Sequence, residues 1–151
     1  MVEEGKPAPD FELTSDAGEP VKLSALRGKP VVLYFYPKDN TPGCTTEACE
    51  FRDAYDRFRE QGVEILGVSP DTEASHRKFK SKYELPFTLL ADPEHRAAEA
   101  YGVWKEKRNY GKTYMGVERS TFVIDADGKV ARAMRGIRPA GHAAQVLETL
   151  G

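Results

Sequence analysis

Hydrophobic and polar positions fall into alternating blocks along the chain. Val31 to Tyr36 is an unbroken apolar and aromatic run between Pro30 and Pro37, the pattern of a central strand buried on both faces. From Thr45 to Gln61, Ala48, Phe51, Tyr55 and Phe58 recur at helical spacing. Glu47, Arg52, Asp56 and Arg59 take the opposite face, and Gly62 stops the helix. Val63 to Ser69 reads as the next strand, followed by a helix from Thr72 to Tyr83, a short strand from Phe87 to Leu90 and a helix from His95 to Tyr101. Thr121 to Asp125 and Lys129 to Met134 flank Ala126-Asp127-Gly128, a hairpin signal with Asp-Gly in the turn. His142 to Leu150 closes the chain as an amphipathic helix. Ahead of Val31, turn formers separate Phe11–Leu13 and Val21–Leu23, which read as a hairpin or extended arm on the main sheet. Ser24 is placed to cap a single helical turn ending at Gly28. Two β-α-β-like units, an antiparallel hairpin and a last helix predict one α/β domain over residues 1–151, a mixed sheet with helices on both faces.

Composition narrows the setting. A chain of 151 residues can bury a core without disulfides. A formal charge of −2 with mixed signs argues against a nucleic-acid or strongly membrane-attracted surface. No apolar run reaches membrane-spanning length and no signal-type apolar segment opens the chain, so the expected location is cytoplasmic. In that reducing compartment a close cysteine pair is more often catalytic or metal-binding than structural. The pair, Cys44 and Cys49, has no second ligand pair at usable spacing, which argues against zinc. No metal and no cofactor is expected.

The run from Tyr34 to Cys49 reads as strand, Pro/Gly-rich loop and the first turn and a half of a helix. A thiol there faces the positive end of the helix dipole and free backbone N–H groups, which favour the thiolate. Cys44 is therefore the candidate nucleophile, and Cys49 is near enough to trap what it becomes. Each residue also has a plainer reading. A cysteine at a helix start is often an inert buried residue, Cys49 also fits a residue packed beneath the helix, and Arg119 alone fits a solvated charge. His76, His95 and His142 lie in charged helical contexts and read as surface residues without a role. Phe51, Tyr55 and Phe58 form a core stripe. Tyr36 reads as sheet core next to the loop, with the substrate as a second contact.

Pro37, Thr41 and Cys44 reproduce a Pro-x-x-x-Thr-x-x-Cys pattern, and here the sequence resembles the peroxiredoxins. Cys49, five residues on, is similar to the arrangement of the bacterioferritin comigratory protein/PrxQ subfamily. Pro7–Leu13, Gly67–Asp71, Tyr101–Trp104 and Gly116–Phe122 resemble further family segments, so the likeness spans nearly the whole chain. It implies a thioredoxin-like fold with an N-terminal β extension and a thiol peroxidase acting on hydrogen peroxide and organic hydroperoxides. Cys44 would attack the peroxide, Arg119 would hold thiolate and leaving oxygen, and Thr41 would orient the substrate. Gly43 would let the backbone approach, and Pro37 would wall the pocket. Cys49 would resolve the Cys44 sulfenic acid as an intramolecular disulfide, recycled by thioredoxin or a related dithiol reductant. The resemblance also implies a monomer. Without a Gly-Gly-Leu-Gly run or a C-terminal Tyr-Phe extension, the chain is expected to resist overoxidation better than relatives that have them. Two rivals remain at this point. One is a disulfide oxidoreductase, disfavoured because that chemistry uses Cys-x-x-Cys. The other is a redox sensor or chaperone that switches through the same disulfide.

Overall fold

The computed structural model describes residues 2–150; Met1 and Gly151, the ends of the expected 1–151 domain, lie outside the described residues. The elements run β1 (Glu12–Ser15), β2 (Pro20–Lys22), a 3-10 turn (Leu23–Leu26), β3 (Val31–Phe35), α1 (Pro42–Asp53), α2 (Tyr55–Glu60) and β4 (Glu64–Ser69). They continue through α3 (Glu73–Tyr83), β5 (Thr88–Ala91), α4 (Arg96–Ala100), β6 (Trp104–Asn109), β7 (Lys112–Val117), β8 (Ser120–Ile124), β9 (Val130–Arg135) and α5 (His142–Leu150).

Seven strands form one mixed sheet in the order β2-β1-β5-β4-β3-β8-β9. The central pairs β3–β4 and β4–β5 are parallel, whereas β8, β9, β1 and β2 join antiparallel. The uninterrupted apolar run of β3 follows from this position. Val31, Leu33 and Phe35 enter one core with Tyr101, Phe122 and Val130, and Val32 and Tyr34 enter the other with Phe51, Phe58 and Phe79. A strand covered on both sides has no polar face to show. Helices α1, α2, α3 and α5 supply the second core, while α4 and the N-terminal segment cover the first. The fold is the thioredoxin-like α/β arrangement with an N-terminal β hairpin.

Three departures from the sequence reading have physical causes. The helix expected from Thr45 to Gln61 starts earlier, with Pro42 in its first position, and breaks at Ala54 (φ −94, ψ 1). Proline's fixed φ suits a first helical position. Phe51 and Phe58, on either side of the break, meet with ring centroids 5.8 Å apart within one core. The β6–β7 hairpin was not legible because Trp104–Asn109 is polar on both faces and mostly exposed, so no period marks it. Its turn is made by Tyr110 and Gly111, both at positive φ, as a two-residue hairpin requires. Finally, Ser24 is not a cap: the 3-10 turn starts at Leu23, and the Ser24 N–H donates to Asp10 Oδ1 at 2.9 Å.

Tyr34, Gly67 and Leu89 stand in one row across β3, β4 and β5. A β-carbon on Gly67 would lie 2.9 Å from Tyr34 Cζ, Tyr34 Oη and Leu89 Cδ2, so the tyrosine ring lies directly over the glycine. Gly67→Ala should therefore overpack the core and lower stability by about 1–3 kcal/mol in urea denaturation, with the near-ultraviolet tyrosine signal altered. A midpoint equal to wild type would show that the row relaxes freely.

Candidate active site

Helix α1 begins where the loop 37–41 leaves the end of β3. Its N-cap, Thr41, has extended backbone and makes no side-chain cap bond. Instead its hydroxyl donates to the Lys38 carbonyl at 2.9 Å. Pro42 contributes no N–H, so the Gly43 and Cys44 amides are the first donors of the helix and have no partner within it. Cys44 is 2% exposed, in the core formed by Tyr34, Ala48 and Phe51.

Arg119, the residue before β8, reaches across to α1. Its Nη2 donates to Cys44 Sγ at 3.2 Å and its Nη1 to Glu47 Oε1 at 2.7 Å. One planar fork thus holds a thiol and a carboxylate in fixed relation. Gly43 faces the same guanidinium: a β-carbon there would lie 3.2 Å from Arg119 Nη2 and 3.3 Å from Pro139 Cγ. Arg119 is partly buried, which works against its charge, but Glu47 and Cys44 more than offset this and its pKa rises above the ordinary value. Lys107 of β6 stands in the same field. Burial first, then repulsion from Arg119, lowers its pKa, with Cys44 and Glu118 opposing.

Of the residues named from the sequence, Cys44, Gly43 and Arg119 meet in direct contact, and Thr41 stands at the cap beside them. Pro37 opens the loop, half-buried, directly after Tyr36. Cys49 lies further along α1, half-buried; both cysteines are free thiols. Tyr36 is sheet core, as read: it is buried in the same core as Cys44 and its hydroxyl donates to Asp39 Oδ1 at 2.5 Å.

Two readings of the sequence need correction. Glu47 is not on an exposed face but fully buried. It shares a face with Cys44, three residues earlier, and Arg119 supplies the partner that makes burial tolerable. A carboxylate three residues past the cysteine was the available signal. The histidines are not surface residues either, since His76 and His142 are buried. Each ring nitrogen is partnered: His76 by Asp39 and the Leu90 carbonyl, His142 by Thr121 and Gln145. Burial lowers the pKa of His142, only partly opposed by Gln145. His95 is half-buried and stacks on Trp104 with centroids 4.0 Å apart. Ligand atoms of Asp39, Asp71 and His76 lie within 4.8 Å of one another, and hydrogen bonds to one another and to Tyr36, Ser69 and Ser75 engage these side chains.

With this geometry the known relatives agree. The AhpC/TSA family model matches residues 4–133. Peroxiredoxin Bcp of Bacillus subtilis is 56% identical over 149 residues, covering 99% of this chain and 95% of its own length. The Escherichia coli K12 protein of the same name is 44% identical over 146 residues, 97% of this chain and 94% of its own. Among solved structures, bacterioferritin comigratory protein of Xanthomonas campestris superposes with a TM-score of 0.92 at 40% identity, covering 98% of this chain and 97% of that one. A variant of Xylella fastidiosa PrxQ gives 0.94 at 35% identity, with 99% and 96% covered. The chain belongs to the AhpC/TSA family: it is a peroxiredoxin, a thiol peroxidase, of the bacterioferritin comigratory protein/PrxQ type. No helix among the described residues is long and apolar enough to cross a membrane.

Glu47 provides a pH signature. Burial raises its pKa from 4.5 to about 7, with the Arg119 ion pair pulling the other way. The folded protein therefore holds this proton more tightly than the unfolded chain. The stability this contributes is complete below the unfolded value and is lost as pH rises through about 7. Glu47→Gln keeps an acceptor for Arg119 but removes the titration. From about pH 4 to about pH 8, stability of wild type relative to the variant should fall by on the order of 3 kcal/mol, measured by denaturant unfolding. His142 titrates in both proteins and cancels. A constant difference across that range would show that Glu47 ionises normally.

Proposed function

We propose that the chain reduces hydrogen peroxide and organic hydroperoxides through Cys44, with Cys49 as resolving residue and an external dithiol protein such as thioredoxin as reductant. One observation carries the reading: the Arg119 N–H aimed at Cys44 Sγ at 3.2 Å, on the first turn of α1. A fixed guanidinium beside the sulfur stabilises a thiolate before attack and an oxyanion after it. The Xanthomonas relative's structure concerns alkyl peroxide reduction, which supports the wider substrate class.

The sequence of steps follows from the groups present. The Cys44 thiolate attacks one peroxide oxygen in line and the O–O bond breaks. The departing alkoxide or hydroxide, held near Arg119 and the Gly43 and Cys44 amides, takes up a proton. Because the Thr41 hydroxyl hydrogen is engaged by the Lys38 carbonyl, its oxygen serves as acceptor for the peroxide O–H. Cys44 is left as sulfenic acid. The Cys49 thiol attacks it, the disulfide forms and water leaves. Two thiols of the reductant then restore both cysteines.

The disulfide cannot form on an intact α1. Five helical residues advance about 7.5 Å and turn about 500°, whereas a disulfide needs α-carbons roughly 4.4–6.8 Å apart and facing β-carbons. The first turns must open. Opening them gives up the backbone hydrogen bonds of α1 in this stretch, among them the Thr45 N–H to Thr41 carbonyl bond, together with the Thr46 hydroxyl to Pro42 carbonyl bond and the Arg119 contacts to Cys44 and Glu47. Beyond them Phe51 is fully buried and stacked on Tyr34, and Arg52 donates to the Tyr83 carbonyl. Unwinding therefore ends before Phe51.

The cysteines should fail differently. Cys44→Ser abolishes peroxide reduction, since a neutral hydroxyl is a far poorer nucleophile than a thiolate. Cys49→Ser still gives one fast turnover, with sulfenic acid accumulating at Cys44 by mass analysis. A Cys44→Ser protein that consumes peroxide at the wild-type first-turnover rate would defeat the assignment. Amide hydrogen exchange tests the motion. Amides 45–50 should be protected when reduced and exposed when oxidised, with Val31 to Phe35 unchanged. Equal protection in both states, with the Cys44–Cys49 disulfide present by mass, would defeat the unwinding.

A further inference from the structure

Beneath the loop 37–41 lies a buried polar cluster that none of the steps above uses. The peptide joining Lys38 to Asp39 is held at both ends. Its carbonyl accepts from the Thr41 hydroxyl at 2.9 Å, and its N–H donates to Asp71 Oδ2 at 2.7 Å. Asp71 is fastened by the Ser69 hydroxyl at 2.6 Å, at the end of β4. The Asp39 side chain turns inward. Oδ1 accepts from Tyr36, and Oδ2 faces the Ser75 hydroxyl and His76 Nδ1, both at 2.8 Å.

His76, on the buried face of α3, closes the chain of contacts. Its Nε2 lies 3.0 Å from the Leu90 carbonyl. A carbonyl only accepts, so Nε2 carries a hydrogen. Nδ1 and Asp39 Oδ2 then share one proton between them, which ties α3 to the loop. Asn40, at φ +59, adds a second tie, its Oδ1 accepting from the Tyr83 hydroxyl at 3.0 Å. Both ends of α3 therefore grip a loop of which the last residue, Thr41, borders the thiol.

We infer that His76 and Asp71 are positioning residues for peroxide binding, acting through the Lys38–Asp39 peptide on the Thr41 hydroxyl. The inference rests on the role of Cys44 and Thr41 in the proposed peroxidase. While that peptide plane is fixed, the Thr41 hydrogen points at the Lys38 carbonyl and the oxygen lone pairs face the substrate. If the plane tilts, the hydroxyl turns freely and its acceptor direction is lost, although Arg119 and the thiol keep their places. The cluster lies N-terminal to Pro42, outside the helical turns that the disulfide requires to open, and so can return Thr41 to the same direction when the helix reforms.

The test compares two reactions of Cys44 in the whole reduced protein: oxidation by hydrogen peroxide and alkylation by iodoacetamide, which needs the thiolate but no Thr41 acceptor. His76→Gln keeps a donor at the ε position for Leu90 and loses the one facing Asp39; His76→Asn keeps the δ-position donor. His76→Gln should slow oxidation about tenfold or more while alkylation stays within about twofold, and His76→Asn should recover most of the loss. In a Thr41→Val background, His76→Gln should add no further loss, as expected for residues acting through one group. Equal slowing of both reactions, additive losses with Thr41→Val, or an unchanged oxidation rate would each overturn the inference. Should His76→Gln not fold, Asp71→Ala at its half-buried position must show the same pattern, and its failure to do so overturns the inference as well. Wild type that is alkylated at Cys44 yet inert to peroxide would instead sink the peroxidase reading, and this inference with it.

Discussion

The Arg119 guanidinium bridges the sheet and the first helix, and most of the site's design follows from that one placement. It comes from the residue before β8, a fully buried strand, so its base cannot wander. At the far end it touches two groups on one face of α1, the Cys44 sulfur and the Glu47 carboxylate. A planar fork with several donors can serve both at once, which a lysine point charge cannot. The absence of a side chain at Gly43 lets the fork lie close against the helix start.

Holding a cation there has a counterpart in burial. Glu47 is fully enclosed, its Oε2 has no hydrogen-bond partner among the described residues, and burial lifts its pKa to about 7 despite the ion pair. Such a carboxylate gains little net stability from its partner, because desolvation takes back much of the attraction. What the pair provides is direction: Arg119 cannot turn away from the sulfur without leaving Glu47 alone in the core. The same logic governs the loop on the other side of Cys44. There Asp39, His76 and Tyr36 are buried together and each side-chain polar atom has a partner, with His76 joining the loop to α3 and to the Leu90 carbonyl of β5. The helix start is thus held by polar contacts at its margins, and α1 further along by Phe51, buried and stacked on Tyr34.

Much of the fold was legible because its elements carry strong periods. The apolar run of β3, the helical spacing from Ala48 to Phe58, and the Asp-Gly turn before β9 each reflect a local backbone preference coupled to burial. The motif linking Pro37, Thr41 and Cys44 was readable for the same reason, since a loop and a helix start keep near residues near. The β6–β7 hairpin escaped because both its faces meet water, so neither is marked by apolar residues. The break at Ala54 escaped because nothing in the local sequence opposes a continuous helix.

What the sequence determined by itself, then, is what depends on neighbours along the chain: the strands and helices with a strong period, the cysteine on the first turn, and the second cysteine one helical turn and a residue later. What only the tertiary structure decided is which polar side chains are buried. Glu47, Asp39, His76 and His142 look in sequence like residues of a solvated surface, because charge and polarity signal exposure when no partner is in view. Their partners, Arg119 for Glu47, Ser75 and His76 for Asp39, the Leu90 carbonyl for His76 and Thr121 for His142, come from segments distant along the chain. A buried polar group is tolerated only when such a partner arrives, and that meeting is a property of the packed sheet and helices, not of any local stretch of chain.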